Sequence, residues 1–156
     1  MKIIVSHDVD HLYWSEHISD TFILKFYYNS LKWFIKGYID YEEFKYKIKR
    51  IFRKELHRLN ELVSFNNSFG VKSNFFIGLA NGKGLNYSLT NAIVFISKLE
   101  ELNQEVGIHG ISYNDKTLMT KEFKLLKQNL KSDIYGIRMH YLRNDSSTLN
   151  ILNEIG

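Results

Sequence analysis

The chain contains neither cysteine nor proline. Without cysteine there are no disulfides and no thiolate ligands, so any bound metal must be held by histidine, carboxylate, tyrosine or carbonyl oxygen. That suits a reducing compartment. The missing proline stands beside abundant Asn, Lys, Ile and Phe, a pattern of base composition from which no function follows. No transmembrane segment is present: Met1-Lys2-Ile3-Ile4-Val5 looks like a signal peptide for a few residues, then meets His7, Asp8 and Asp10 far short of an h-region. It reads as the first strand of a cytoplasmic protein. The glycines supply no phosphate loop either, because Asn81-Gly82-Lys83-Gly84 lacks the GxGxxG and GxxxxGK[ST] spacings and feeds no helix directly.

What is present describes one domain over residues 1–156. That length supports a real core, and 44% hydrophobic with 24% charged residues is the balance of a globular chain. The net charge of +4 comes mostly from one segment, so it describes a local surface. Within that segment a single helix is expected from Asp40 to about Leu62. Phe44, Ile48, Ile51 and Leu59 form its apolar stripe, opposite Lys45, Lys47, Lys49, Arg50, Arg53, Lys54 and Arg58. Such a basic, aromatic surface could touch a membrane, an anionic glycan or a nucleic acid, or be a solvated face whose aromatics fill the core. No nucleic-acid docking motif accompanies it, and no nucleic-acid partner is expected.

Strands are expected at the N-terminus, at 71–77, 105–109 and 134–140. Helices are expected around Ile23–Phe34, over the basic segment, at 88–102, around Met119–Leu130 and after Asp145-Ser146-Ser147. Strands alternating with helices mean parallel pairing with right-handed crossovers, in an open sheet or a barrel. In both, function gathers at the C-terminal ends of the strands. Here those ends carry Asp8 and Asp10, then His109, then Arg138 and His140. Asp8 and Asp10, two apart on a strand, point the same way with Ser6 behind them. Two carboxylates in one small volume raise one pKa or recruit a cation, and a divalent metal with one as ligand and the other as base satisfies both. The plainer alternative is a solvated loop in which one aspartate caps the next helix.

These residues resemble the polysaccharide deacetylases, carbohydrate esterase family four. Ser6-His7-Asp8-Val9-Asp10 looks like the family's first motif in its Asp-x-Asp form, and Ser73-Asn74-Phe75-Phe76-Ile77 looks like its second strand. Glu105-Val106-Gly107-Ile108-His109-Gly110 looks like the approach to its histidine motif, and Gly136 to Leu142 is similar to its arginine motif. The resemblance implies an α/β fold: a parallel-stranded partial (β/α) barrel with a helical insertion at 12–65 after the first strand. It implies a divalent metal, commonly zinc, and hydrolysis of an N- or O-acetyl group on a sugar or polysaccharide. By matching position Asp8 is the general base, Asp10 and His109 are metal ligands, and Arg138 orients Asp8.

Where the family carries a second histidine four residues after the first, this chain has Tyr113. The further ligand is open among His11, Tyr113, Asp115 and His140. The family barrel continues through more strands that bring an apolar pocket and a late general-acid histidine, so the chain is expected to be the N-terminal part of such a domain. Four strands cannot close a barrel, and self-association through the open sheet edge is expected. The reading from another class is a non-catalytic descendant that binds glycan or protein through the same rim.

Overall fold

The computed structural model describes residues 4–82, 84–134 and 136–156, with the side chain of Ile51 excepted. Lys2 and Ile3 of the expected first strand, Lys83 of the glycine loop, Tyr135 of the expected fourth strand and the inward placement of Ile51 lie outside the described residues. The chain divides into two compact units, one formed by 1–10 with 59–156 and the other by 11–58. The expected insertion ran to residue 65, whereas the helix that begins at Leu59 is counted with the sheet.

The first unit is an α/β arrangement. Its strands are β1 (Val5–Val9), β2 (Ser73–Ile77), β3 (Glu105–Gly110) and β4 (Ile137–Met139). They form a curled, all-parallel sheet in the order β1-β2-β3-β4. Its helices are α3 (Leu59–Ser68), α4 (Leu89–Glu101), α5 (Lys116–Asn129) and α6 (Thr148–Ile155), while α1 (Phe22–Ile35) and α2 (Tyr41–Lys49) belong to the second unit. Local hydrogen bonds set the starts of α4, α5 and α6. Ser88 and Asp115 cap α4 and α5 by accepting the N–H of Asn91 and Leu118. The Asp145 carboxylate accepts the Ser147 hydroxyl and the N–H groups of Ser147 and Thr148 at the start of α6, and these bonds, the Ser147 hydroxyl's first, hold its pKa below the usual carboxylate value.

Register sorts the side chains into two faces. His7, Phe75 and Val106 align on one, followed by Val9, Ile77, Ile108 and Ile137. This face is the core: Phe75, Ile77, Val106 and Ile108 are buried, as are Phe95, Ile96 and Leu99 of α4 and Met119 and Leu126 of α5. The other face aligns Ser6 with Asn74 and Glu105, then Asp8 with Phe76 and Gly107, then His109 with Arg138. Gly107 is bare there for a reason. A Cβ would meet the Gly136 carbonyl oxygen at 2.7 Å and the edge of the Phe76 ring at 2.7 Å.

Gly110, one residue past the expected end of the third strand, is instead its last residue, where a Cβ would lie 2.7 Å from the Met139 sulfur. The fourth strand is shorter than expected at both ends: it begins only at Ile137, after Gly136 at φ 110°, and the chain leaves it at His140 for a 3-10 turn, His140–Leu142. Tyr141 and Leu142 take φ of 58° and 52° in that turn, a left-handed pair that costs on the order of 1 kcal/mol or more per residue.

The second unit holds α1 (Phe22–Ile35), ended by Gly37 at φ 70°, and α2 (Tyr41–Lys49), capped by Asp40. The single helix expected from Asp40 to Leu62 is broken. After a short 3-10 turn at Arg50–Phe52, Arg53 is extended, and the backbone at 54–56 pairs with 12–14 through Trp14 N to Lys54 O and Leu56 N to Leu12 O. Trp14 Nε1 donates to Arg50 O and Arg50 Nη2 to Leu56 O, so the broken segment finds partners that a continuing helix would have supplied. Phe34 stacks on Phe44 between the two helices at 4.8 Å.

Candidate metal centre

Parallel strands end together, so residues at or just past their C-terminal ends share one volume. Asp10 follows the last residue of β1, His109 is next to last in β3, and His140 follows β4. Their ligand atoms converge. His109 Nε2 lies 2.7 Å from His140 Nδ1 and 3.3 Å from Asp10 Oδ1, and His140 Nδ1 lies 3.6 Å from the same oxygen. Both imidazoles are buried, while the Asp10 side chain is about half exposed at 47%.

Donors about 2.0–2.1 Å from a tetrahedral zinc lie about 3.3 Å from one another, and the three observed separations bracket that value. Two imidazoles and one carboxylate also leave a coordination position open to a reactant, as catalytic zinc sites do. The group can therefore hold a divalent metal ion. The other nitrogen of His109, Nδ1, is buried and takes no hydrogen bond among the described residues; Asp8 Oδ1 stands 3.9 Å away. A ligating histidine ordinarily directs that second N–H to a carboxylate, and at 3.9 Å Asp8 does not accept it here, so the fit to a metal rests on the donor set itself.

Beside the triad, Arg138 crosses the bare Gly107 row. Nη1 donates to Asp8 Oδ1 at 2.9 Å, Nη2 to Ser6 Oγ at 2.5 Å, and the guanidinium lies 4.6 Å above the Phe76 ring. Strand alternation puts Ser6 and Asp8 on one side so that one planar fork reaches both. The strand ends are tied as well. The Tyr87 hydroxyl donates to Val9 O and accepts from Gly78 N, holding β1 to β2 one residue before Asp10.

Of the positions left open by the sequence, the structure brings His140 to Asp10 and His109. Tyr113 instead lies against Arg143, whose guanidinium is 5.1 Å from the ring centre, and Asp115 is occupied as the cap of α5. His11 belongs to the 11–58 unit, packed against His17 and Phe22.

Two supporting residues escaped the sequence reading. Arg143 donates from Nε to His140 O at 3.0 Å and from Nη2 to Ile111 O at 2.6 Å, so it bridges the segments that carry the two histidines. Glu122 is buried, and its carboxylate accepts the N–H groups of Ile111 and Ser112. Burial pushes its pKa up, partly offset by those bonds and by His109. A signal for Glu122 was present, since an acid at 122 interrupts the apolar face shared by Met119 and Leu126. Arg143 carried none, because its bonds are to backbone oxygens.

Compared with protein-family models, curated proteins and solved structures, the chain matches none of them. Fold and site together define an α/β protein with a candidate Asp-His-His divalent metal centre. No helix among the described residues is long and apolar enough to cross a membrane.

Proposed function

We propose that this chain is a metal-dependent hydrolase that removes acetyl groups from an N- or O-acetylated sugar or polysaccharide, in line with its resemblance to the polysaccharide deacetylases. The observation that carries the reading is the convergence of Asp10, His109 and His140 beside the Asp8–Arg138 pair. Asp10, His109 and His140 are the ligands, and zinc is the metal to test first. A divalent ion there supplies Lewis acidity toward an acyl oxygen and toward water.

Asp8 is the general base. Arg138 fixes its Oδ1, which leaves Oδ2 to take up a proton, and Ser6 holds the second arm of the guanidinium so that the carboxylate keeps its orientation. Phe76 beneath the guanidinium and the buried imidazoles restrict water on that side of the site.

The test is metal stoichiometry of the purified protein after zinc loading, together with acetate release from acetylated amino sugars and polysaccharides. About one zinc per chain is expected. Asp8→Asn should lower hydrolysis by roughly 10²–10⁴-fold with metal retained. Asp10→Asn should lose metal and activity together. A site that stays empty at saturating zinc overturns the reading in favour of a non-catalytic glycan- or protein-binding descendant, as does full activity in Asp8→Asn.

A further inference from the structure

The 11–58 unit takes no part in the chemistry above, yet it exposes more apolar side chain than its own packing explains. Helix α1 is apolar on two sides. Ile23, Phe26, Tyr27 and Phe34 are partly buried within the unit and Ser30 is buried. On the outside, Leu24, Tyr28, Leu31 and Ile35 recur at helical spacing and form one stripe, 70%, 66%, 48% and 74% exposed. A globular helix normally places charge there. An exposed apolar row rimmed by polar residues marks an interaction surface.

Charge says what covers it. Residues 11–58 hold ten Lys and Arg against six Asp and Glu, a net +4 equal to that of the whole chain, so the remainder is neutral. Lys25, Lys32 and Lys36 flank the stripe along one side, all exposed. They form no ion pair among the described residues, whereas Lys45 and Lys47 of α2 pair with Glu42 and Glu43. Among the three flanking lysines, Lys36 lies over the ring of the exposed Tyr38 at 5.8 Å, and the stripe itself carries the exposed Tyr28. Aromatic rings with an apolar body and a polar tip, next to lysines with apolar stems, suit the headgroup level of a bilayer.

A second copy of the chain would set +4 against +4. A glycan or a nucleic acid would satisfy the lysines and leave leucine and isoleucine without an apolar partner. We propose that the 11–58 unit docks on an anionic membrane surface, with the Leu24-Tyr28-Leu31-Ile35 stripe in the interface and Lys25, Lys32 and Lys36 on lipid headgroups. The helix lies on the bilayer and does not span it, since its 14 residues reach about 21 Å against a hydrocarbon core of about 30 Å. The reading is independent of the metal centre.

The experiment is co-sedimentation of the full chain with phosphatidylcholine vesicles, with and without phosphatidylserine, at low and high salt. Binding is expected to the anionic vesicles, weakened at least tenfold by leaving out phosphatidylserine or raising salt. Replacing Lys25, Lys32 and Lys36 by alanine should cost roughly fivefold per lysine, about a hundredfold together. Leu31→Glu with Ile35→Glu should weaken it more than tenfold. All these positions are exposed, so circular dichroism and zinc affinity should match the wild type. Equal binding to both vesicles overturns the proposal, as does binding indifferent to Leu31→Glu with Ile35→Glu. So do a soluble dimer dissolved by that pair, and capture by acidic protein or anionic polysaccharide with no vesicle binding.

Discussion

Replacing Arg143 by methionine tests whether the two histidines are held as one metal-binding pair. The guanidinium donates to the carbonyl of His140 at 3.0 Å and to the carbonyl of Ile111, two residues beyond His109, at 2.6 Å. Each hydrogen bond from a charged donor is worth about 1.5–3 kcal/mol, and water partly replaces both, so a stability loss of about 1–3 kcal/mol is expected. That is a fall in Tm of roughly 2–12 °C. The consequence for metal is separate. His109 Nε2 and His140 Nδ1 stand 2.7 Å apart because their segments are bridged, and losing a support of this kind typically weakens metal by roughly 10–100-fold, about 1.4–2.7 kcal/mol. The assay is zinc affinity by competition with a chromogenic chelator, with the visible spectrum of the cobalt(II) form as a readout of ligand geometry. A purely structural loss would lower Tm equally with and without metal. A positioning loss also shrinks the rise in Tm that metal produces and changes the cobalt spectrum. A dissociation constant within twofold of wild type with an unchanged spectrum would refute the reasoning.

Tyr113→Phe keeps the ring against Arg143 and removes the hydroxyl, so zinc affinity should stay within about twofold; a tenfold loss in titration would make Tyr113 a ligand. Gly107→Ala drives a Cβ into the Gly136 carbonyl and the Phe76 ring on which Arg138 rests. It should cost about 1–3 kcal/mol in urea unfolding and lower any hydrolysis, and unchanged stability would contradict the close approach. The third concerns His7, whose pKa burial holds below its ordinary value, with Asp8 opposing and Arg138 assisting; its Nε2 lies 3.2 Å from the Asn66 amide, which also donates to Ser73. The unfolded chain takes up this proton near pH 6.5 and the folded one only lower, so His7 contributes stability that is full above about 6.5 and lost as pH falls from there toward the folded value. Urea midpoints measured from about pH 7.5 to 5.5 should therefore fall less in His7→Gln than in the wild type, and parallel curves would refute it.

Local pattern determined much of this protein. Two-residue alternation puts Ser6 and Asp8 on one side of a strand whatever surrounds them, and the caps at Asp40, Ser88 and Asp115 act over three residues. Parallel order follows from strands alternating with helices, and with it the gathering of Asp10, His109 and His140 at one end. Tertiary structure decided the rest, because the deciding interactions join residues far apart in sequence. The periodicity from Phe44 to Leu59 is helical throughout, yet the helix breaks because backbone at 54–56 finds partners at 12–14. Four residues were equal candidates for the further ligand, and separation along the chain could not rank them. Only strand register, with His109 beside Arg138 and Gly110 beside Met139, brings His140 to the histidine of β3, while Asp115 is used by its own helix and Tyr113 by Arg143. The outer stripe of α1 marks the same boundary from the other side: its spacing is legible in sequence, but whether Leu24 and Ile35 face a core or a solvent is set by what packs on the opposite side of the helix.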